Sequence, residues 1–135
     1  MKREGDGASP RGSFAVLIGY YRDDKFSRLP SGVALRRIAR YAGWCDAASD
    51  RNYNRPVGLP YRASAECMWR DDDLYDAVLV LDYNVTPRVR GAGSAIFLHI
   101  ARGGYGPTEG CIAISKQHIR LLIARLRTST RLIIR

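Results

Sequence analysis

Two apolar runs and the link between them decide how this chain folds: Ser94-Ala95-Ile96-Phe97-Leu98-His99-Ile100 and Cys111-Ile112-Ala113-Ile114, joined by the glycine-rich residues 101–110. The first is a continuous apolar run of strand length, the pattern of a strand buried on both faces. A histidine, His99, stands one residue before its end. The second is shorter and opens on a cysteine preceded by Gly110. Alternate side chains of an extended chain share a face, so His99 sits with Ala95 and Phe97. The link is long enough to fold back and bring imidazole and thiol together. A thiol near its free pKa is mostly protonated at neutral pH. An adjacent imidazole takes that proton or holds the thiolate as an ion pair. Gly110 lets a substrate carbonyl approach the backbone, and the amides of Gly110 and Cys111 are candidate donors to an oxyanion. Spacing alone leaves a second reading open, a hydrogen-bonded core histidine and a cysteine that packs as a small hydrophobe.

Working outward, Ala77–Leu81 reads as a buried strand leading into Asp82-Tyr83-Asn84, and residues 85–93, with Pro87 and two glycines, read as a turn. Downstream, Ser115 has the character of a helix N-cap. The residues after it place Ile119, Leu122, Ile123 and Leu126 on one helical face. Residues 130–135 read as a β-rich end. Near the start, residues 1–12 are polar and glycine-rich, Phe14–Tyr21 reads as a strand and residues 23–31 as a loop. Residues 35–42 are ambiguous. Leu35, Ile38, Ala39 and Ala42 fit a helical stripe with arginines opposite, so a short surface helix or an irregular basic loop is expected. A basic amphipathic element at a membrane surface is the alternative. Residues 43–75 are dense in aromatics but weakly periodic, and read as an ordered insertion that shapes a cleft. The sum is one mainly β domain spanning residues 1–135, with one or two short helices.

Composition narrows the partners. At 135 residues the chain can bury a core without disulfides or metals. No apolar run is long enough to cross a membrane, and residues 1–7 lack the apolar segment of a signal peptide. The net charge of +9 favours polyanions, either nucleic acid or an anionic wall or membrane surface. With three cysteines at least one thiol is free or paired between chains. No C-x-x-C occurs, and His99 and His118 show no metal-ligand spacing, so no metal is expected.

Ser94 to Ala101, followed by Pro107-Thr108-Glu109-Gly110-Cys111-Ile112-Ala113-Ile114-Ser115, resembles the YkuD-type L,D-transpeptidase catalytic domain. That family has a histidine at a strand end, a variable loop, and then a Ser/Thr-His-Gly-Cys motif, which here reads Thr108-Glu109-Gly110-Cys111. The resemblance extends through Gly43-Trp44-Cys45-Asp46, Tyr53-Asn54-Arg55-Pro56, Met68-Trp69-Arg70-Asp71 and Tyr83-Asn84. It also reaches the segment before Gly12, and so covers nearly the whole chain.

The resemblance implies an L,D-transpeptidase-like β-sandwich with a short helix packed against it. It implies that Cys111 attacks the third-residue carbonyl of a peptidoglycan stem tetrapeptide and releases the terminal D-amino acid. The resulting thioester then passes to an amine, such as a second stem peptide or an envelope protein. His99 would be the base, oriented by a backbone carbonyl. No cofactor and no specific nucleic acid are implied, and the place of action would be the bacterial periplasm or envelope. With water as acceptor the same site is an L,D-carboxypeptidase. A third reading is a non-catalytic basic module that binds wall polymer or nucleic acid.

Two departures from the family pattern matter. Glu109 replaces the motif histidine, either as a solvated loop residue or as a ligand for an acceptor ammonium. Ala113 stands where an arginine usually follows the cysteine, which leaves substrate carboxylates to Arg102, Arg70 or Arg55. Trp69, Trp44 and Tyr75 are candidates for the cleft wall or for core. Asn84 either caps a turn or binds substrate. Cys45 and Cys67 are candidates for pairing in an oxidising envelope, and His118 is expected to be exposed.

Overall fold

The run Ala77–Leu81 is buried along its whole length because it lies inside a sheet covered on both faces. The computed structural model describes residues 1–135. Its strands are β1 (Gly12–Tyr21), β2 (Leu35–Arg37), β3 (Ala42–Cys45), β4 (Arg55–Gly58), β5 (Ala65–Cys67), β6 (Ala77–Leu81), β7 (Phe97–Ile100), β8 (Ile112–Ile114) and β9 (Arg131–Ile134). One helix, α1 (Lys116–Arg125), precedes β9. The large sheet runs β2-β1-β6-β7-β8, with β9 also on β1, and the small sheet runs β4-β3-β5. Most neighbours are antiparallel, but β2 pairs parallel with β1 and β8 parallel with β7.

The two-residue period of a strand sorts the large sheet's side chains onto two faces. Val78, Val80 and Phe97 point to the small sheet and pack with Trp44, Met68, Tyr75 and Ile38. Leu79, Leu81, Leu98 and Ile100 point the other way, onto Ile119 and Ile123 of α1 and onto Leu126. The architecture is therefore a sandwich of two sheets with a helix on the outer face of the larger, as the resemblance implies. Ser115 caps α1, its side chain accepting from the His118 amide. The expected insertion at 43–75 supplies the small sheet.

Two expectations are corrected. Residues 35–42 form no helix. Leu35–Arg37 instead add to β1 as a parallel strand, and Ala42 opens β3. The helical stripe is an accident of that split, because Leu35 packs on the α1 side and Ile38 and Ala42 on the small-sheet side. Nonlocal pairing overrides a short local period. Arg36 and Arg37 are exposed on this strand, the kind of charge that discourages further pairing at a sheet edge. The second correction concerns the run 94–100, whose strand begins only at Phe97. Ala95 has φ +52, a left-handed conformation outside any strand. No helix is long and apolar enough to cross a membrane.

Candidate active site

The site grows from the β7–β8 ladder. Its register sets Leu98 beside Ile112 and His99 beside Ala113. The strand period then puts Cys111 on the same face as Phe97 and His99, where it packs against the cluster between the sheets. Imidazole and thiol thus come from neighbouring strands, offset by one pleat.

His99 is buried, and its Nδ1 lies 2.9 Å from the Ile100 carbonyl oxygen. A carbonyl only accepts, so Nδ1 carries the proton and Nε2 carries the lone pair. Burial holds the His99 pKa below its ordinary value, opposed by the bond to Ile100. The ring meets Tyr75 edge-on at 5.4 Å between centroids.

Cys111 is half-buried, and its thiol donates to the Ala95 carbonyl at 3.1 Å. Burial pushes its pKa up to about 11, with Glu66 and Glu109 adding to the rise and Lys2 opposing it. The resting site therefore holds a neutral thiol and a neutral imidazole. No hydrogen bond joins the two.

The carbonyl that receives the thiol is fixed from behind. Asn54, 1% exposed, accepts from the Ala95 amide at 3.0 Å and from Trp44 Nε1 at 2.9 Å. Its Nδ2 donates to the carbonyls of Tyr83 and Asn84. Gly110 is fixed from the other side. Its φ of +101 and a Cβ that would fall 2.6 Å from the Ala8 carbonyl oxygen admit no side chain. Lys2 lies beside it, ion-paired to Asp6 at 2.7 Å, so the N-terminal segment backs the cysteine loop. Thr108 Oγ1 donates to the Cys111 carbonyl at 2.7 Å.

Cys111 and His99 open into a cleft of about 480 Å³, also bordered by Arg70, Tyr75, Arg102 and Glu109. That volume suits a peptide or other small ligand. Arg70 is forked onto Asp72 through Nε and Nη2, at 2.8 and 2.6 Å, which raises its pKa above the usual arginine range. Arg102 is exposed on the 101–110 loop and its side chain makes no ion pair.

The other candidates lie elsewhere. Trp69 stacks under Arg22 at 3.5 Å, beside a shallower depression. Trp44 is core, edge-on to Phe97. Arg55 binds the carbonyls of Asn54 and Val85. Asn84 braces the 85–93 turn through Val89 and Gly93. Cys45 and Cys67 are both free: Cys45 is buried opposite Ala65, Cys67 is exposed opposite Gly43. His118 is exposed on α1.

Sequence reasoning passes over Glu66. This β5 residue is half-buried on the cleft and accepts from Tyr75 OH at 3.0 Å. Burial raises its pKa, with the Tyr75 bond pulling the other way. The only local signal is one acid among the weakly periodic residues of 65–67. A family model of the L,D-transpeptidase catalytic domain (YkuD) matches residues 1–134. No curated protein and no solved structure matches the chain.

Proposed function

The chain belongs to the YkuD family of L,D-transpeptidase catalytic domains, and on that premise we propose that residues 1–135 form a cysteine L,D-transpeptidase domain acting on peptidoglycan stem tetrapeptides in the cell envelope. Cys111 is the nucleophile and His99 the base. One observation carries the assignment of roles: the thiol shares a cleft with an imidazole whose Nδ1 proton is committed to Ile100, leaving Nε2 as the basic atom.

The reaction begins when the thiol turns from the Ala95 carbonyl and gives its proton to His99 Nε2. The thiolate attacks the third-residue carbonyl carbon. The amides of Gly110 and Cys111 stabilise the oxyanion. The imidazolium returns its proton to the departing amine as the C–N bond breaks, and a D-amino acid leaves. The thioester on Cys111 is then attacked by an acceptor amine, whose proton passes to His99 and on to the released thiolate. The new bond is an amide. Arg102 supplies a cation for substrate carboxylate, and Tyr75 and Arg70 form the wall. With water as acceptor the same steps trim the stem instead of joining it.

Incubation with tetrapeptide or a carbapenem, followed by intact-mass and peptide mapping, tests the proposal. An acyl adduct on Cys111, lost in Cys111→Ala, is the expected result. Adducts only at Cys67, or none, would return the chain to the reading of a basic binding module. Muropeptide analysis of treated sacculi separates transfer, which yields dimers, from hydrolysis, which yields shortened monomers.

A further inference from the structure

Glu66 is an anomaly in a chain with 22 Lys and Arg against 13 Asp and Glu. It faces the cleft from β5, half-buried, yet it makes no ion pair. Arg70, which borders the same cleft, is forked onto Asp72 instead. Tyr75 holds one carboxylate oxygen, Oε2, while Oε1 takes no hydrogen bond from the protein. Glu109 borders the same cleft and is likewise unpaired. A carboxylate withdrawn from water without a cation is costly, and two beside a nucleophilic thiol oppose its ionisation. Arg102 borders the cleft as well but pairs with neither carboxylate, so both stand without a bound cation until one enters.

We propose that Glu66, oriented by Tyr75 and assisted by Glu109, seats a primary ammonium group of the substrate beside Cys111. This deepens the transpeptidase reading and rests on it. The ammonium supplies the missing counter-charge and lifts the repulsion on the thiolate, so the correct substrate helps to activate the nucleophile that attacks it. Two sources offer this chemistry: the side-chain amine of a diamino acid at the third stem position, and the amine of the acceptor.

The test uses Glu66→Gln, which keeps the side-chain length and an oxygen for Tyr75. Four measurements separate the outcomes. Tetrapeptides with a free or an acetylated third-residue amine are compared for binding to Cys111→Ala and for acylation of Cys111. Partition of a preformed acyl-enzyme between amine and water is then measured. Finally, alkylation by neutral iodoacetamide is followed at Cys111.

If the donor amine is seated, acetylation weakens binding and acylation by about tenfold or more in the presence of Glu66, the scale of a hydrogen bond to a charged group. Glu66→Gln then erases the difference. If the acceptor amine is seated, the amine-to-water ratio falls by a similar factor in Glu66→Gln while the two donors acylate alike. In both cases Glu66→Gln alkylates with iodoacetamide at least as fast as the parent. Equal discrimination and equal partition with and without Glu66 would overturn the inference. Should the variant misfold, Glu66→Asp, which keeps the charge but draws it back from the cleft, takes its place in both the donor comparison and the partition measurement. A Cys111 that accepts no acyl group while binding still depends on the amine and on Glu66 would sink the enzymatic reading and leave the ammonium site standing.

Discussion

Replacing Asn54 by alanine removes the side chain that ties the left-handed Ala95 to the small sheet. Four hydrogen bonds go with it: two accepted by Oδ1 from Trp44 Nε1 and the Ala95 amide, and two donated by Nδ2 to Tyr83 and Asn84. The two N–H donors are buried, and each left unsatisfied costs about 1–3 kcal/mol. Ala95 keeps its φ of +52 only while its amide is held. Its release returns part of a strain worth about 1–2 kcal/mol, which the alanine held at the φ of +56 of position 54 largely takes up again. The net expectation is a loss of roughly 3 kcal/mol, a large share of the roughly 5–15 kcal/mol typical of a domain. The melting temperature should drop by about 10 °C. Urea titration measures the first and calorimetry the second. Below the melting range the Ala95 carbonyl loses its anchor, so acylation of Cys111 should slow even where the fold persists. A stability change under about 1 kcal/mol with an unchanged denaturant slope would refute the reasoning. It would mean that the Trp44 and Ala95 donors find other partners.

Three further outcomes follow from the site. Gly110→Ala sets a Cβ 2.6 Å from the Ala8 carbonyl oxygen at a φ of +101. It should lose about 1–3 kcal/mol of stability in urea titration and most acylation of Cys111 by mass spectrometry. Because burial pushes the thiol up to about 11, iodoacetamide labelling of ligand-free Cys111 should climb about tenfold per pH unit from neutrality toward that value. A plateau near pH 7 would show a resting thiolate instead. On the proposed mechanism His99 must be neutral to accept the proton, and burial holds its pKa below the ordinary 6.5. Acylation by tetrapeptide should therefore persist as pH falls to 6.5 and fail only below it, while His99→Ala should lose about 100-fold or more across the range.

How much of the molecule is legible in its sequence follows the range of the physics. The faces of β6 and β7 and the stripe of α1 are written in local periods of two and about four, so Leu79, Leu98, Ile119 and Ile123 can be placed from their neighbours alone. Strands β2 to β5 are three or four residues long, too short for a period to declare itself. The arginine-rich stretch before Ala42 mimics a helix for that reason. Cys111 and His99 are singled out by the flanking motif, not by spacing. Arg70, Tyr75, Arg102 and Glu109 are candidates alongside them and do border the same cleft. Trp69 and Asn84 are candidates too, but they are engaged elsewhere. Glu66 and Asn54 draw no role from the sequence, because each depends on which strands meet. Glu66 reaches the cleft through the β3–β5 pairing, and Asn54 acts from behind it by holding the displaced backbone at Ala95.

The parallel pairing of β7 with β8 requires the chain to travel back along the sheet, and residues 102–107 make most of that journey in solvent. The ladder, not the excursion, holds the sulfur and the imidazole at their offset. Lengthening or rewriting this span across descendants would reshape the mouth of the cleft without disturbing the chemistry beneath it. On the transpeptidase reading proposed above, choice of substrate can therefore diversify quickly on a reaction centre that changes slowly.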